Sequence, residues 1–146
     1  MSASNAFETN ILKLILQNVT AANIGDATGL VGSSIAGSLY VSLHTADPGE
    51  AGDQSTSEAT YTSYARVAVA RTTGGWAVSS GVGSNVSAIN FPAATGGSNT
   101  ITYFGIGTAS SGAGNLLFSG ALTASLAVSS GITPAFAVGA LTITAD

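Results

Sequence analysis

From Leu39 onward the chain is cut again and again by turn-forming clusters, and this punctuation restricts it to short extended segments. The breaks fall at Gly74-Gly75, Gly81-Val82-Gly83, Pro92, Gly96-Gly97, Ser111-Gly112 and Ser130-Gly131. Gly supplies positive φ and Pro presets φ, so such clusters redirect the backbone rather than continue a helix. The intervening residues alternate in polarity, as in Ala65-Arg66-Val67-Ala68-Val69 and Leu141-Thr142-Ile143-Thr144. Alternation is the signature of a half-buried strand. Strands are expected near 39–44, 64–71, 75–79, 86–91, 100–107, 115–121, 123–128 and 140–145. Many short strands with such turns predict a mainly β chain built as an antiparallel β-sandwich, jelly-roll-like.

The first residues read differently. Asn5 is suited to cap a helix, with Glu8 three positions on as in a capping box. Phe7, Ile11, Leu14 and Ile15 then fall on one helical face. Leu12 and Leu16 widen that stripe past half the circumference, leaving Asn10, Lys13 and Gln17 as the polar side. A helix resting on one sheet needs a stripe of about 100° or slightly more. The excess fits a helix that touches two surfaces, its own core and a neighbouring subunit, and equally a helix buried deep in its own domain. Residues 18–38 are polar, Gly-spaced and weakly patterned, a linker or extended arm. The organisation expected is therefore an N-terminal helix and arm over 1–38, followed by a β-sandwich over 39–146.

Charge then narrows the function. Three basic residues (Lys13, Arg66, Arg71) stand against seven acidic ones, and charged residues make up 7% of the chain. Ordinary domains carry roughly 25%. Charge normally keeps a surface soluble and unassociated, so its scarcity points to a surface covered by other subunits; the alternative is hydration by Ser, Thr and Asn alone. Three scattered bases do not make a nucleic-acid footprint. There is no cysteine, hence no disulfide frame or thiolate site. No apolar run reaches the roughly 18–20 residues of a membrane span, and the N-terminal residues lack the basic-then-apolar order of a signal peptide.

Chemistry, if any, would centre on the only histidine, His44, at the end of the Leu39–Leu43 alternation, with Asp47, Glu50 and Asp53 behind it. The carboxylate spacing is not that of a Ca²⁺ loop, and one His does not make a zinc set. Asp47-Pro48-Gly49 is turn chemistry: Asp bonds its own backbone, Pro fixes φ and Gly permits positive φ. Neither a catalytic set nor a cofactor or metal site is expected, and the chain does not read as an enzyme. Gly105-Ile106-Gly107 has no helix after it to hold a dinucleotide. Tyr61, Tyr64, Trp76, Tyr103 and Phe104 read as core and strand-pairing residues before they read as a sugar platform. Arg66, alternating with apolar neighbours, either points into an interface or pairs with Glu50 or Glu58.

The string LYVSLHTADPGEAGDQSTSEATYTSYARVAV resembles the opening of a group of small tailed-phage virion proteins, a "hxLHTaDPG" strand and turn followed by an acidic spacer and a "YaR" strand. INFPAATGGSNTITYFGIGTASSGAGNLLFSGAL and the terminal AFAVGALTITAD are similar to later segments of the same group. The resemblance covers roughly residues 39–146. It implies a structural virion protein of the capsid cement (decoration) kind, homo-oligomeric, bound to the major capsid protein on the capsid exterior. The alternative is a tail-fibre or receptor-binding β-sandwich module that binds host-surface glycan. Phe7, Ile11, Leu14, Ile15 and Arg66 are the expected protein-interface residues.

Overall fold

The structure, a computed structural model, describes residues 2–145. It contains α1 (Asn5–Gln17) and strands β1 (Ser38–His44), β2 (Val67–Ala70), β3 (Trp76–Ser79), β4 (Val82–Asn85), β5 (Ile89–Asn90), β6 (Ser98–Gly107), β7 (Leu116–Ser129), β8 (Ala135–Phe136) and β9 (Thr142–Thr144). Among the described residues the chain is mainly β, with antiparallel sheets and a single N-terminal helix, as the sequence predicts. Sheet orders are β2-β1-β6-β7, β3-β4-β9 and β5-β8. Two compact units form: residues 1–38, 69–88 and 136–146 in one, residues 39–68 and 89–135 in the other. Residues 69–88 and 136–146 thus group with the helix and the residues that follow it.

In the first unit α1 lies on the β3–β4 hairpin. Ser4, one residue earlier than expected, is the N-cap, its Oγ accepting from Phe7 N at 3.4 Å. Leu12 and Leu16 are the helix's buried residues. Leu16 sits against Gly83, where any Cβ would collide with its Cδ1, so the hairpin needs glycine there. Ser80 and Gly81, with φ of 50° and 74°, form the two-residue turn between Ser79 and Val82; positive φ at both central residues marks a type I′ hairpin. The segment 82–85 was thus a strand, not punctuation. Its Gly83 is there for the helix, and that removes the apolar residue that would have announced it.

The helix ends at Asn18 in the left-handed region (φ 59°). No basic residue occupies its last turn. Arg71 substitutes from another segment: Nε donates to Ile15 O at 2.7 Å and Nη2 to Leu14 O at 2.8 Å, while Nη1 reaches Ala36 O at 3.1 Å. A cation at a helix C-terminus meets the unpaired carbonyls and the negative end of the dipole. The same contacts fasten residues 18–38. Between Asn18 and Gly37 that stretch carries the isolated Ala21–Leu30 bridge. Asn18 pairs with both backbone groups of Ser33, at 2.7 and 2.8 Å, and draws the stretch back onto its own unit.

In the second unit β1 and β6 are neighbouring inner strands, with Leu39, Val41 and Leu43 of β1 buried along with Ile101 and Ile106 of β6. The β1–β6 register pairs Val41 with Ile106 and Leu43 with Phe104. β7 replaces two expected strands: Ile101 pairs with Leu126 and Tyr103 with Ala121, so residues 122–125 all lie opposite Thr102 as a bulge.

Candidate functional site

Two places bear on function: the polar cluster around His44, and the outer side of α1.

Ser42 and His44 are two apart on β1, so both side chains lie on one face of the sheet. Ser42 Oγ and His44 Nε2 are 2.8 Å apart, and His44 Nδ1 is 2.8 Å from Thr56 O. A carbonyl only accepts, so Nδ1 carries the proton and Nε2 accepts from the serine hydroxyl. This is the atomic arrangement of an activated serine. Both residues are 0% exposed, however. Gly105 packs over them so closely that a Cβ would lie 2.6 Å from Nε2 and 2.7 Å from Ser42 Oγ. The imidazole therefore serves as a strut between β1 and the loop after it.

That loop is held by turns and by Gln54. Asp47 Oδ1 accepts from Gly49 N at 2.9 Å, the Asx turn that the Asp-Pro-Gly sequence predicts. Asp53 Oδ1 accepts from Ser55 Oγ and N at 2.6 and 2.8 Å, bonds that hold its carboxyl below the usual carboxylate range. Fully buried Gln54 donates to Tyr40 O and accepts from Ala109 N. Among the described residues no group of three or more His, Asp or Glu is placed to hold a metal ion.

Burial holds the His44 imidazole below its ordinary value of 6.5, against the opposing influence of the Thr56 bond and of Glu58. Unfolding exposes it to full protonation, so the unfolded chain binds more protons and stability falls as pH drops below about 6.5. The thermal midpoint should hold steady above neutral pH and decline between neutrality and about pH 5, before the carboxylates titrate. His44→Gln should flatten that limb of a calorimetric pH series; a wild-type midpoint that stays level over this range would show that His44 protonates without cost.

Arg66, expected in an interface, is turned inward instead. It forms a two-point pair with Glu58, Nε–Oε1 at 2.6 Å and Nη2–Oε2 at 2.8 Å, and also donates to Ala109 O and Gly112 O. Tyr64 OH donates to the same Glu58, and burial pushes its phenol well up. Of the two partners the sequence offers for Arg66, Glu58 is the one chosen. Sequence alone gave no way to rank it above Glu50.

The four apolar helix residues expected at an interface are not those used for the core. Phe7 is 48% exposed, and Ile11, Leu14 and Ile15 are half-buried, whereas Leu12 and Leu16 are 1% and 0% exposed. The polar residues that dock the helix lie with the core side: Thr9 Oγ1 accepts from Gly81 N, and Gln17 Nε2 donates to Trp76 O. Val31 and Ile35 of the same unit are also exposed, at 68% and 82%. Of the five aromatic residues, Trp76 and Tyr61 are buried, at 0% and 2% exposed, while Tyr64, Tyr103 and Phe104 are half-buried.

A family model described as podophage GP4 fiber I protein gp80 matches residues 2–144, nearly the whole chain. No curated protein matches it.

Proposed function

The chain belongs to the family of the podophage GP4 fiber I protein gp80, and from that premise we propose that it is a non-enzymatic structural subunit of a phage virion, attached as part of a fibre. The observation that carries the attachment is the outer stripe of α1. Phe7, Ile11, Leu14 and Ile15 keep apolar surface in solvent while Leu12 and Leu16 alone fill the core. Each Å² of apolar surface removed from water contributes about 25 cal/mol before association costs. A helix presenting such a stripe from a folded unit is suited to lie in a groove of a neighbouring virion protein.

Capsid cement on the outside of the shell, bound to the major capsid protein, is the second reading. The resemblance of residues 39–146 to decoration proteins and the low surface charge favour it. Copy number separates the two: parity with the major capsid protein belongs to cement, a handful per particle to a fibre. The attachment is tested with Phe7→Asp, chosen because Phe7 is exposed and outside the core. Virions assembled with this variant should carry at least about tenfold less of it, although the isolated protein melts at the wild-type temperature. Wild-type incorporation of Phe7→Asp would remove the helix from the attachment.

A further inference from the structure

The strand β7 ends its sheet, pairing with β6 on one side only. It has 14 residues, LLFSGALTASLAVS, without a charge or a proline. Proteins usually protect such an edge with Lys, Pro or a covering segment, because its unpaired N–H and C=O groups accept another strand. The large apolar residues of this edge are incompletely covered: Leu116, Phe118, Leu122 and Leu126 stay half-buried and Leu117 is 40% exposed, whereas Ile101 and Ile106 of the neighbouring β6 are fully buried. Beside the first part of β7 runs a groove of about 270 Å³, between Gly49, Glu50 and Gly52 on one side and residues 116–119 on the other.

We infer that this edge pairs with the same edge of a second copy, antiparallel about a two-fold axis at Ser119. Charge permits self-pairing: an uncharged strand meets its own copy without like-charge repulsion. Side-chain size sets the register. With Ser119 facing itself, Phe118 lies opposite Gly120 of the partner and Leu117 opposite Ala121, a large residue against a small one each time. Within the chain Phe104 already covers Gly120 in this manner, its ring atoms 2.9–3.0 Å from where a Cβ would stand. The irregularity near Leu117 and the bulge at 122–125 close the paired run at either end, and the groove gives the partner strand room to leave.

The full chain should sediment as a dimer in the micromolar range. Ser119→Lys places two ammonium groups across the axis and should raise the dimer Kd by about tenfold or more, without changing the circular dichroism. Ala68→Lys, an exposed position on β2, should leave the Kd unchanged. Because the chain has no cysteine, Ser119→Cys gives a second readout that does not depend on tolerance of lysine. Residues directly opposite in antiparallel strands are within disulfide reach, so mild oxidation should join two Ser119→Cys chains and not two Ala68→Cys chains. A monomeric wild type, a closed trimer or larger ring, an unshifted Kd for Ser119→Lys, or no crosslink at 119 would each overturn the two-fold edge pairing. These measurements use the isolated chain, so their outcome is independent of attachment through the helix.

Discussion

Glu58→Ala should destabilise the protein by about 3–5 kcal/mol, lowering the thermal midpoint by roughly 10 °C. The side chain of Arg66 is 2% exposed, so its charge does not reach water when Glu58, 18% exposed, is removed. Truncating Glu58 leaves a buried guanidinium with only the Ala109 and Gly112 carbonyls, and leaves the Tyr64 hydroxyl without its acceptor. The loss should be visible in urea unfolding as a lower midpoint with unchanged slope. It should persist in high salt, because a desolvated pair is screened far less than a surface one. Arg66→Ala should cost a similar amount and also release the 109–112 turn. Replacing both partners by apolar residues should recover part of the loss, since no unpaired charge then remains, though the two carbonyls stay unsatisfied. A cost below about 1 kcal/mol for Glu58→Ala, the range of exposed pairs, would mean that water reaches the guanidinium.

The pair also shows what the sequence could and could not disclose. Alternation places Arg66 within a strand, whereas β2 begins one residue later at Val67; its two candidate partners are visible in the sequence, but which carboxylate comes back to it depends on how the intervening loop folds. The Ser42–His44 contact was more accessible, because i and i+2 on a strand share a face by geometry. The helix is the opposite case. Its apolar residues cover more than half the circumference, so periodicity identifies a helix without choosing the sector that faces inward. That choice was made elsewhere, by Gly83 receiving Leu16 and by Thr9 and Gln17 reaching the hairpin. β4 escaped notice because the glycine that seats Leu16 erased its alternation. β7 looked like two strands because its bulge, Leu122-Thr123-Ala124-Ser125, has the small polar composition of a turn. In each case the missing information was a contact with a distant segment.

Trp76→Ala should cost about 3–5 kcal/mol, as expected when a large buried aromatic is removed. Trp76 is 0% exposed in the first unit, at the start of β3 opposite Asn85. As the only tryptophan, it reports its own surroundings: wild-type emission should be blue-shifted and should move to the red as this unit unfolds. Trp76→Phe should be much milder, near 1 kcal/mol. The indole Nε1 is buried and has no hydrogen-bond acceptor among the described residues, and an unmet buried donor carries a penalty of about 1–3 kcal/mol. Phenylalanine gives up some packing volume but removes that penalty, so the two effects largely offset. A Phe variant as unstable as the Ala variant would show that shape alone sets the cost and that the N–H is silent. The contrast matters for any assay of glycan binding by this chain. Binding lost in Trp76→Ala reports a collapsed core. Only a loss in a variant that keeps its midpoint, as Trp76→Phe should, would speak for a sugar contact.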